Sequence, residues 1–307
     1  MHAANPLRCL GLLLVVLAGC AGSDAAPELT RASELPDERR ALLAAYFADG
    51  PQWEARRDEL DEDPELARWM CENLVLELFR AYDTANLAQL GETHGPFERA
   101  RAELISFGAT AVDVLTPLLA AKDGVVPVVA GDLLTAIGEP ATAPVAGLLD
   151  GEQWRSRRVA AELLGELPHA GEDEAALQER LALLAREDPE WIVRAQAARS
   201  LGRRGLGHVT TEDARVGLVP VLFDKDPAVG REAATALGVL GDPAAVPALL
   251  NFYERGERSN DVRGQKAAQA ALEAIAGKKQ GTHARAWRNW WSDHRGELLG
   301  PGSDRPY

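Results

Sequence analysis

The chain has 307 residues, of which 46% are hydrophobic and 6% aromatic, and a formal net charge of −14. This length is sufficient for a large hydrophobic core. The acidic balance argues against nucleic acid as the main partner, because a phosphate backbone attracts basic proteins. The low aromatic content suits closely packed helices, which favour small side chains where they cross.

The N-terminus predicts a targeting segment. Arg8 supplies a positive charge, and residues 10–17 (LGLLLVVL) form an apolar run too short to span a bilayer as a mature helix. Residues 1–19 are therefore interpreted as a signal peptide that takes no part in the fold.

The apolar run ends in LAGC at residues 17–20, which resembles the lipobox of bacterial lipoproteins. The resemblance implies that Cys20 is lipidated, becomes the mature N-terminus and anchors the protein to a membrane of the bacterial cell envelope, facing the periplasm or at the outer membrane. An ordinary signal peptide cut near Ala21 or Ala26, or an uncleaved anchor, is the alternative. Residues 20–36 are small and polar and predict a flexible tether.

Residues 37–95 predict an acidic helical cap that covers the first end of the domain. Asp63-Pro64 is expected to open a helix. The acidic run around it lacks the spacing and the turn glycine of an EF-hand calcium loop, so a solvated turn is favoured. Cys71 lies in a helical run and is interpreted as a buried thiol that packs as a small hydrophobe.

A repeated pattern occupies residues 96–277. Each copy has a leucine with alanine four residues before it, followed by further apolar or small residues, so these side chains share one face of a helix. The spacing of 30 to 37 residues suits two short helices with their turns. The anchor leucines are Leu104, Leu134, Leu164, Leu201, Leu237 and Leu272, and the first two mark weaker copies.

A second apolar helix is predicted between successive anchors. Four of these outer helices contain a proline, which removes a backbone donor and is expected to kink the helix. A single pair of helices cannot bury its apolar stripe alone, whereas stacked pairs share one continuous core. The prolines are Pro117, Pro144, Pro220 and Pro247.

The pattern DPxxIVR at residues 188–194, with Ala197-Ala198, and its counterpart from Asp226-Pro227 through Arg231 resemble the HEAT-repeat family. They are closest to the short bacterial repeats labelled HEAT-like from their likeness to phycobilin-lyase subunits. The resemblance implies an all-α, right-handed α-solenoid of about six helical hairpins with helical caps. It also implies a non-catalytic scaffold that binds a protein partner. We expect a monomer in the partner's absence.

No residue pattern indicates a catalytic site, a metal or a cofactor. The six histidines include no His-Glu pair, the motif with which HEAT-type deoxyhypusine hydroxylases bind iron. The alternatives are a lyase-like or cofactor-handling protein and a protein that binds an envelope polymer.

A row of basic residues at the start of successive inner helices is the candidate partner site. Inner helices of stacked pairs line the concave side, where such a row could bind an acidic peptide or polyanion. The competing interpretation is a structural ladder between repeats. We expect Arg194 to be structural and favour Arg158 and Arg199 for contact. The row comprises Arg157, Arg158, Arg194, Arg199, Arg231, Arg263 and Lys266.

Residues 278–299 predict a tryptophan-rich helix that Thr282 would cap. Trp287, Trp290 and Trp291 share one face by their spacing. This helix is interpreted as a closing cap, with a membrane-interface belt or a carbohydrate platform as alternatives. Residues 300–307 form a loose tail.

Overall fold

The computed structural model describes residues 35–48, 60, 62–87, 94–122, 124–169, 173–206 and 211–300. Within these ranges all regular secondary structure is helical. The α-helices are α1 (Asp37–Phe47), α2 (Pro64–Leu87), α3 (His94–Ser106), α4 (Ala109–Leu115), α5 (Val126–Ile137), α6 (Thr142–Gly147), α7 (Trp154–Leu164), α8 (Glu174–Glu187), α9 (Trp191–Arg204), α10 (Thr211–Leu218), α11 (Pro227–Leu240), α12 (Val246–Ser259), α13 (Val262–Ala276) and α14 (Ala284–Leu299).

The chain forms two compact units, which divide between Pro144 and Val145, inside α6. In the first unit, α2 packs against α1, α3 and α4. The Asp63 carboxylate accepts a hydrogen bond of 3.0 Å from the Leu66 N–H and so caps α2. The predicted helix start at Asp63-Pro64 is confirmed.

The anchor residues form the core of the inner helices α3, α5, α7, α9, α11 and α13. All six anchor leucines and all six alanines that precede them by four residues are fully buried. The predicted repeat register is therefore confirmed. Together with the helix-only content, it confirms the predicted fold class, an all-α solenoid of helical hairpins. In the second unit α9 packs against both α7 and α11, and α11 also packs against α13.

Three of the four predicted prolines lie at helix boundaries. Pro117 and Pro220 lie in 3₁₀ turns, Thr116–Ala120 and Pro220–Phe223, which follow α4 and α10 closely. Pro247 lies in the first turn of α12, where its missing N–H has no intrahelical partner to lose. The predicted internal kink at Pro247 is therefore wrong.

The helix ends of the second unit carry the expected capping chemistry. Asp226 accepts a hydrogen bond of 2.8 Å from the Ala228 N–H at the start of α11. Gly241 ends the same helix in the left-handed conformation, with φ of 67°. These caps fix where this inner helix begins and ends.

None of the described helices is long and apolar enough on its own to cross a membrane. Two adjoining segments, 97–106 and 109–120, reach the required length and composition together, but with a bend of 117° between them.

Candidate binding surface

Three glycines bring the inner helices of the second unit into close contact. Each directly follows an anchor leucine. A Cβ atom placed on Gly202 would lie 2.6 Å from the Cβ of Ala236, and one on Gly238 would lie 2.7 Å from the Cα of Ala271. These positions therefore require glycine. The third contact, at Gly165, is made with Ser200 in the same register.

Arg194 forms a buried ion pair between successive repeats. Its guanidinium donates to both carboxylate oxygens of Asp224, at 2.8 and 2.9 Å, and to the carbonyls of Asp188 and Pro189, at 2.8 and 3.2 Å. The side chain is only 2% exposed. Hydrogen bonding to Asp224 raises the pKa of Arg194, so this arginine stays charged inside the protein.

Arg157 repeats the same arrangement one repeat earlier. It donates to both oxygens of Asp188, at 2.6 and 3.1 Å, and to the carbonyls of Gly151 and Glu152, each at 2.8 Å. Both arginines lie seven residues before their anchor leucine. We call the two pairs the arginine ladder. Their side chains are committed to neighbouring repeats.

The ladder does not continue into α11, where the equivalent position is Gly230. A Cβ atom there would lie 2.6 Å from the Leu222 carbonyl oxygen, so the preceding turn leaves no room for a side chain. In α13 the equivalent residue is Gln265, which donates to the Gly256 carbonyl at 2.9 Å.

Arg204 is a further buried arginine, which sequence reasoning missed. It is 2% exposed and pairs with Glu174, whose carboxylate also accepts a hydrogen bond from Gln178 at 3.0 Å. The guanidinium donates as well to the carbonyls of Leu164 and Pro168. Nothing in the spacing of Arg204 marked it, because it lies outside the repeated positions.

Two other members of the predicted row form ion pairs that are at least partly exposed. Arg158 pairs with Glu162 on its own helix at 2.7 Å, and Arg199 pairs with Glu232 on the next helix at 3.0 Å. Arg203, outside the predicted row, pairs with Glu166 at 3.1 Å. Arg158 and Arg199 are therefore locally neutralised.

The remaining members are Arg231, Arg263 and Lys266. The side chains of Arg263 and Lys266 are exposed, and that of Arg231 is partly exposed. Among the described residues none of the three forms an ion pair. The basic row thus divides into a buried ladder, a neutralised part and three cations available at the surface. Its role in partner binding stays a prediction.

The tryptophan-rich helix α14 packs against α12. Trp287 is fully buried, and its indole N–H donates to the Gly281 carbonyl at 3.1 Å. Trp290 is buried beside it, with ring centroids 5.6 Å apart, whereas Trp291 is partly exposed. The indoles of Trp287 and Trp290 are thus held inside the fold.

Thr282 does not cap α14, so that prediction is wrong. The helix begins at Ala284, whose N–H donates to the Glu257 carboxylate of α12 at 3.0 Å. The Thr282 carbonyl instead accepts a hydrogen bond of 2.7 Å from the Tyr253 hydroxyl. A neighbouring helix therefore supplies the cap.

Cys20 and the signal peptide lie outside the described residues, as do most of the tether, His208 and residues 301–307. In the part of the chain that the structure describes, no three His, Cys, Asp or Glu residues are grouped so as to hold a metal ion. Cys71 is buried in α2, and burial raises the pKa of its thiol.

The family model for HEAT repeats matches residues 177–276, which begin in α8 and end with α13. No curated protein matches the chain. The matched residues contain the Arg194–Asp224 pair and the glycine contacts of Gly202 and Gly238. The match and the helix pairs together support a HEAT-repeat protein.

Proposed function

We propose that this chain is a non-catalytic scaffold that binds a protein partner at the bacterial cell envelope, where a lipidated Cys20 tethers it to a membrane. The observation that carries the proposal is the fixed register of the inner helices α7, α9, α11 and α13. Glycine contacts link these four helices and the arginine ladder adds ion pairs made by α7 and α9, so their solvent-facing positions form a preorganised surface. A preorganised surface loses little conformational entropy when it binds a partner.

HEAT repeats are typically protein-interaction scaffolds, and this supports the choice of a protein partner. The tether rests on the LAGC sequence that ends the apolar N-terminal run. Acyl chains on one cysteine anchor a folded domain at a membrane surface without crossing the bilayer.

Membrane fractionation tests the tether. We expect Cys20→Ala to move the protein from the membrane fraction to the soluble fraction and to abolish incorporation of a labelled fatty acid. Cys71→Ala is the matched control and should leave both measurements unchanged, because Cys71 is buried within the fold. Membrane association and labelling that survive Cys20→Ala would rule out the lipid anchor.

Affinity capture from solubilised envelope tests the scaffold. We expect the wild-type chain to retain a defined protein at a fixed stoichiometry. Metal analysis and absorption spectroscopy of the purified chain test the alternative. Stoichiometric metal or a bound chromophore would contradict the scaffold and indicate a cofactor-handling protein.

A further inference from the structure

The exposed residues beside the three glycine contacts change in character along the second unit. Glu166 and Arg199 lie beside the first contact, and both are charged and exposed. Beside the last contact, between α11 and α13, lie Val239, which is 45% exposed, and the exposed Ala270. The middle contact has Arg203 and Thr235. Apolar surface therefore appears only at the α11–α13 end of this series.

Three cations lie on the same two helices. Arg231 and Lys266 each precede their anchor leucine by six residues, so they occupy equivalent levels of α11 and α13. Arg263 lies about one turn before Lys266. None of them forms an ion pair among the described residues. We call the following set the α11–α13 patch: Arg231, Thr235, Val239, Arg263, Lys266 and Ala270.

The patch has a polarity along the helices. Lys266 precedes Ala270 by four residues, about 6 Å of helix, and Arg231 precedes Val239 by eight, about 12 Å. The apolar surface continues about one turn further along α13, where Ala274 is exposed. Within the patch, a ligand aligned with these helices therefore meets cations first and Val239 and Ala270 second. The exposed Val262 lies outside the patch, at the start of α13.

Two further cations follow the end of α13. Lys278 and Lys279 are exposed, and they lie beyond Gly277, whose left-handed conformation ends the helix. The helix from Lys266 to Ala276 is about 15 Å long, so these lysines lie outside the patch. An acidic segment bound in the reverse orientation would place its carboxylates at these lysines.

We propose that the α11–α13 patch binds a protein segment with carboxylates at one end and apolar side chains at the other. The carboxylates pair with Arg231, Arg263 and Lys266, and the apolar side chains cover Val239 and Ala270. This inference rests on the proposed function, since it assigns the scaffold a site and a class of partner. Complementary charge steers such a segment to the patch and fixes its register.

The surrounding charge favours a short acidic segment over an extended polyanion. Charges separated by more than about 8 to 10 Å are largely screened at physiological ionic strength, so a short segment responds mainly to the patch. A long polyanion would extend over the rest of a chain whose net charge is −14. The apolar residues of the patch can also pack against apolar side chains of a protein segment, whereas a polyphosphate has no such groups.

A synthetic peptide tests the patch directly. The probe is a fluorescein-labelled peptide with a glutamate-rich half and a leucine-rich half, and binding is followed by anisotropy. We expect Arg231→Glu/Arg263→Glu/Lys266→Glu to weaken binding about tenfold or more, because each reversal removes an attraction and adds a repulsion. The midpoint of urea unfolding should stay unchanged, since these side chains carry no buried contact.

A matched triple variant separates the patch from net charge. Arg258→Glu/Arg285→Glu/Arg295→Glu changes the net charge equally on exposed positions of α12 and α14. We expect this control to bind the peptide within about twofold of wild type. Equal loss in both triples, or equal binding of a peptide with lysine in place of glutamate, would overturn the patch. If inorganic polyphosphate competes as well as unlabelled peptide does, the surface is a polyanion site and not a site for a protein segment.

A second charge variant tests the reverse orientation. Lys278→Glu/Lys279→Glu alters only the cations beyond the end of α13. We expect peptide binding within about twofold of wild type, because the distance from Lys266 exceeds the screening length. A tenfold loss in this variant with no loss in the patch triple would place the carboxylates at the other end and overturn the assignment of Arg231, Arg263 and Lys266.

The last experiment is photo-crosslinking to the natural partner. A photo-crosslinking amino acid replaces Thr235, inside the patch, or Val216, which is exposed on the outer helix α10. We expect crosslinks from position 235 to an acidic and apolar segment of the captured protein. If the patch triple captures the partner as well as wild type does, the patch is wrong and the scaffold stands. If wild type captures no partner, the scaffold itself fails.

Discussion

The two units use different residues to join successive inner helices. Directly after the anchor leucine, the first unit has Ile105 and Thr135, whereas the second has Gly165, Gly202 and Gly238 on three of its four inner helices. The glycines let neighbouring helices approach at backbone distance. The larger side chains of the first unit do not allow this type of contact at the same position.

The position seven residues before the anchor differs in the same way. It is Phe97 and Pro127 in the first unit, whereas α7 and α9 of the second unit have Arg157 and Arg194 there. The second unit therefore adds buried ion pairs between repeats, which require one particular alignment of donor and acceptor. Apolar contacts tolerate more than one alignment. One helical pattern can therefore be held by two kinds of contact. The HEAT-repeat match contains the Arg194–Asp224 pair and the contacts of Gly202 and Gly238.

The largest expected effect comes from removing the ladder. Arg194→Ala leaves Asp224 buried without its cation, and breaking a buried pair in this way costs about 3–5 kcal/mol. Urea unfolding followed by circular dichroism measures the change. Arg231→Ala, at the neighbouring register on the next helix, should cost at most about 0.5 kcal/mol. Similar losses in the two variants would contradict the ladder.

A smaller effect is expected at the glycine contacts. Gly202→Ala inserts a methyl group against Ala236, and overpacking of this kind costs about 1–3 kcal/mol. Gly147→Ala is the control, because a Cβ atom there meets nothing within 4 Å. Alanine favours a helix over glycine by up to about 1 kcal/mol, so the control should be neutral or stabilising. A lower melting temperature for Gly202→Ala together with an unchanged or higher one for Gly147→Ala would confirm the contact. Changes of the same sign in both variants would contradict it.

The sequence predicted the repeat because its signal is local. An alanine four residues before a leucine lies on the same helical face, and all six such pairs are buried. Arg157 shares with Arg194 the position seven residues before an anchor, but our interpretation of the sequence assigned a structural role to Arg194 alone. The register of the basic row is uneven because Arg231 lies one residue later in its repeat.

Other features depend on contacts between distant residues. Arg204 pairs with Glu174, thirty residues away, and no periodic position marks either residue. Likewise, Glu257 caps α14 from another helix, so the local Thr282 gave a misleading signal. Which surface cations lack an ion pair is settled by neighbouring helices, and only the structure separates Arg199 from Lys266 in this respect.

The pH dependence of stability offers a third test. Burial alone would raise the pKa of Asp224, but hydrogen bonds from Arg194 and from the Asp226 N–H hold it below its ordinary value. A lowered folded-state pKa adds stability above the unfolded value of about 3.9, which is lost as pH falls through the folded-state value. We therefore expect the difference in unfolding free energy between wild type and Asp224→Asn to be largest near neutral pH and to shrink below about pH 4.

The first unit supplies the control for this titration. Arg39 lowers the pKa of Glu65 through a hydrogen bond of 3.1 Å, but that carboxylate is 80% exposed. Exposed pairs contribute little, so Glu65→Gln should differ little from wild type across the same pH range. If the difference in unfolding free energy between wild type and Asp224→Asn stays constant down to about pH 2, ionisation of Asp224 does not stabilise the fold.

The smallest effect concerns the opening of each unit in its native state. Cys71 is fully buried in the first unit, and burial raises the pKa of its thiol, so reaction with a disulfide reagent requires local opening. The thiol introduced by Ser156→Cys, in a Cys71→Ser background, reports on the second unit, where Ser156 is likewise buried on the ladder helix α7. Both proteins carry Cys9→Ser and Cys20→Ser. Because the first unit lacks the ladder and the glycine contacts, we expect Cys71 to react about tenfold faster or more, the ratio given by about 1.4 kcal/mol of extra opening free energy. Equal rates, or faster labelling of the Ser156→Cys thiol, would show that these contacts set the register of the repeats without adding to their stability.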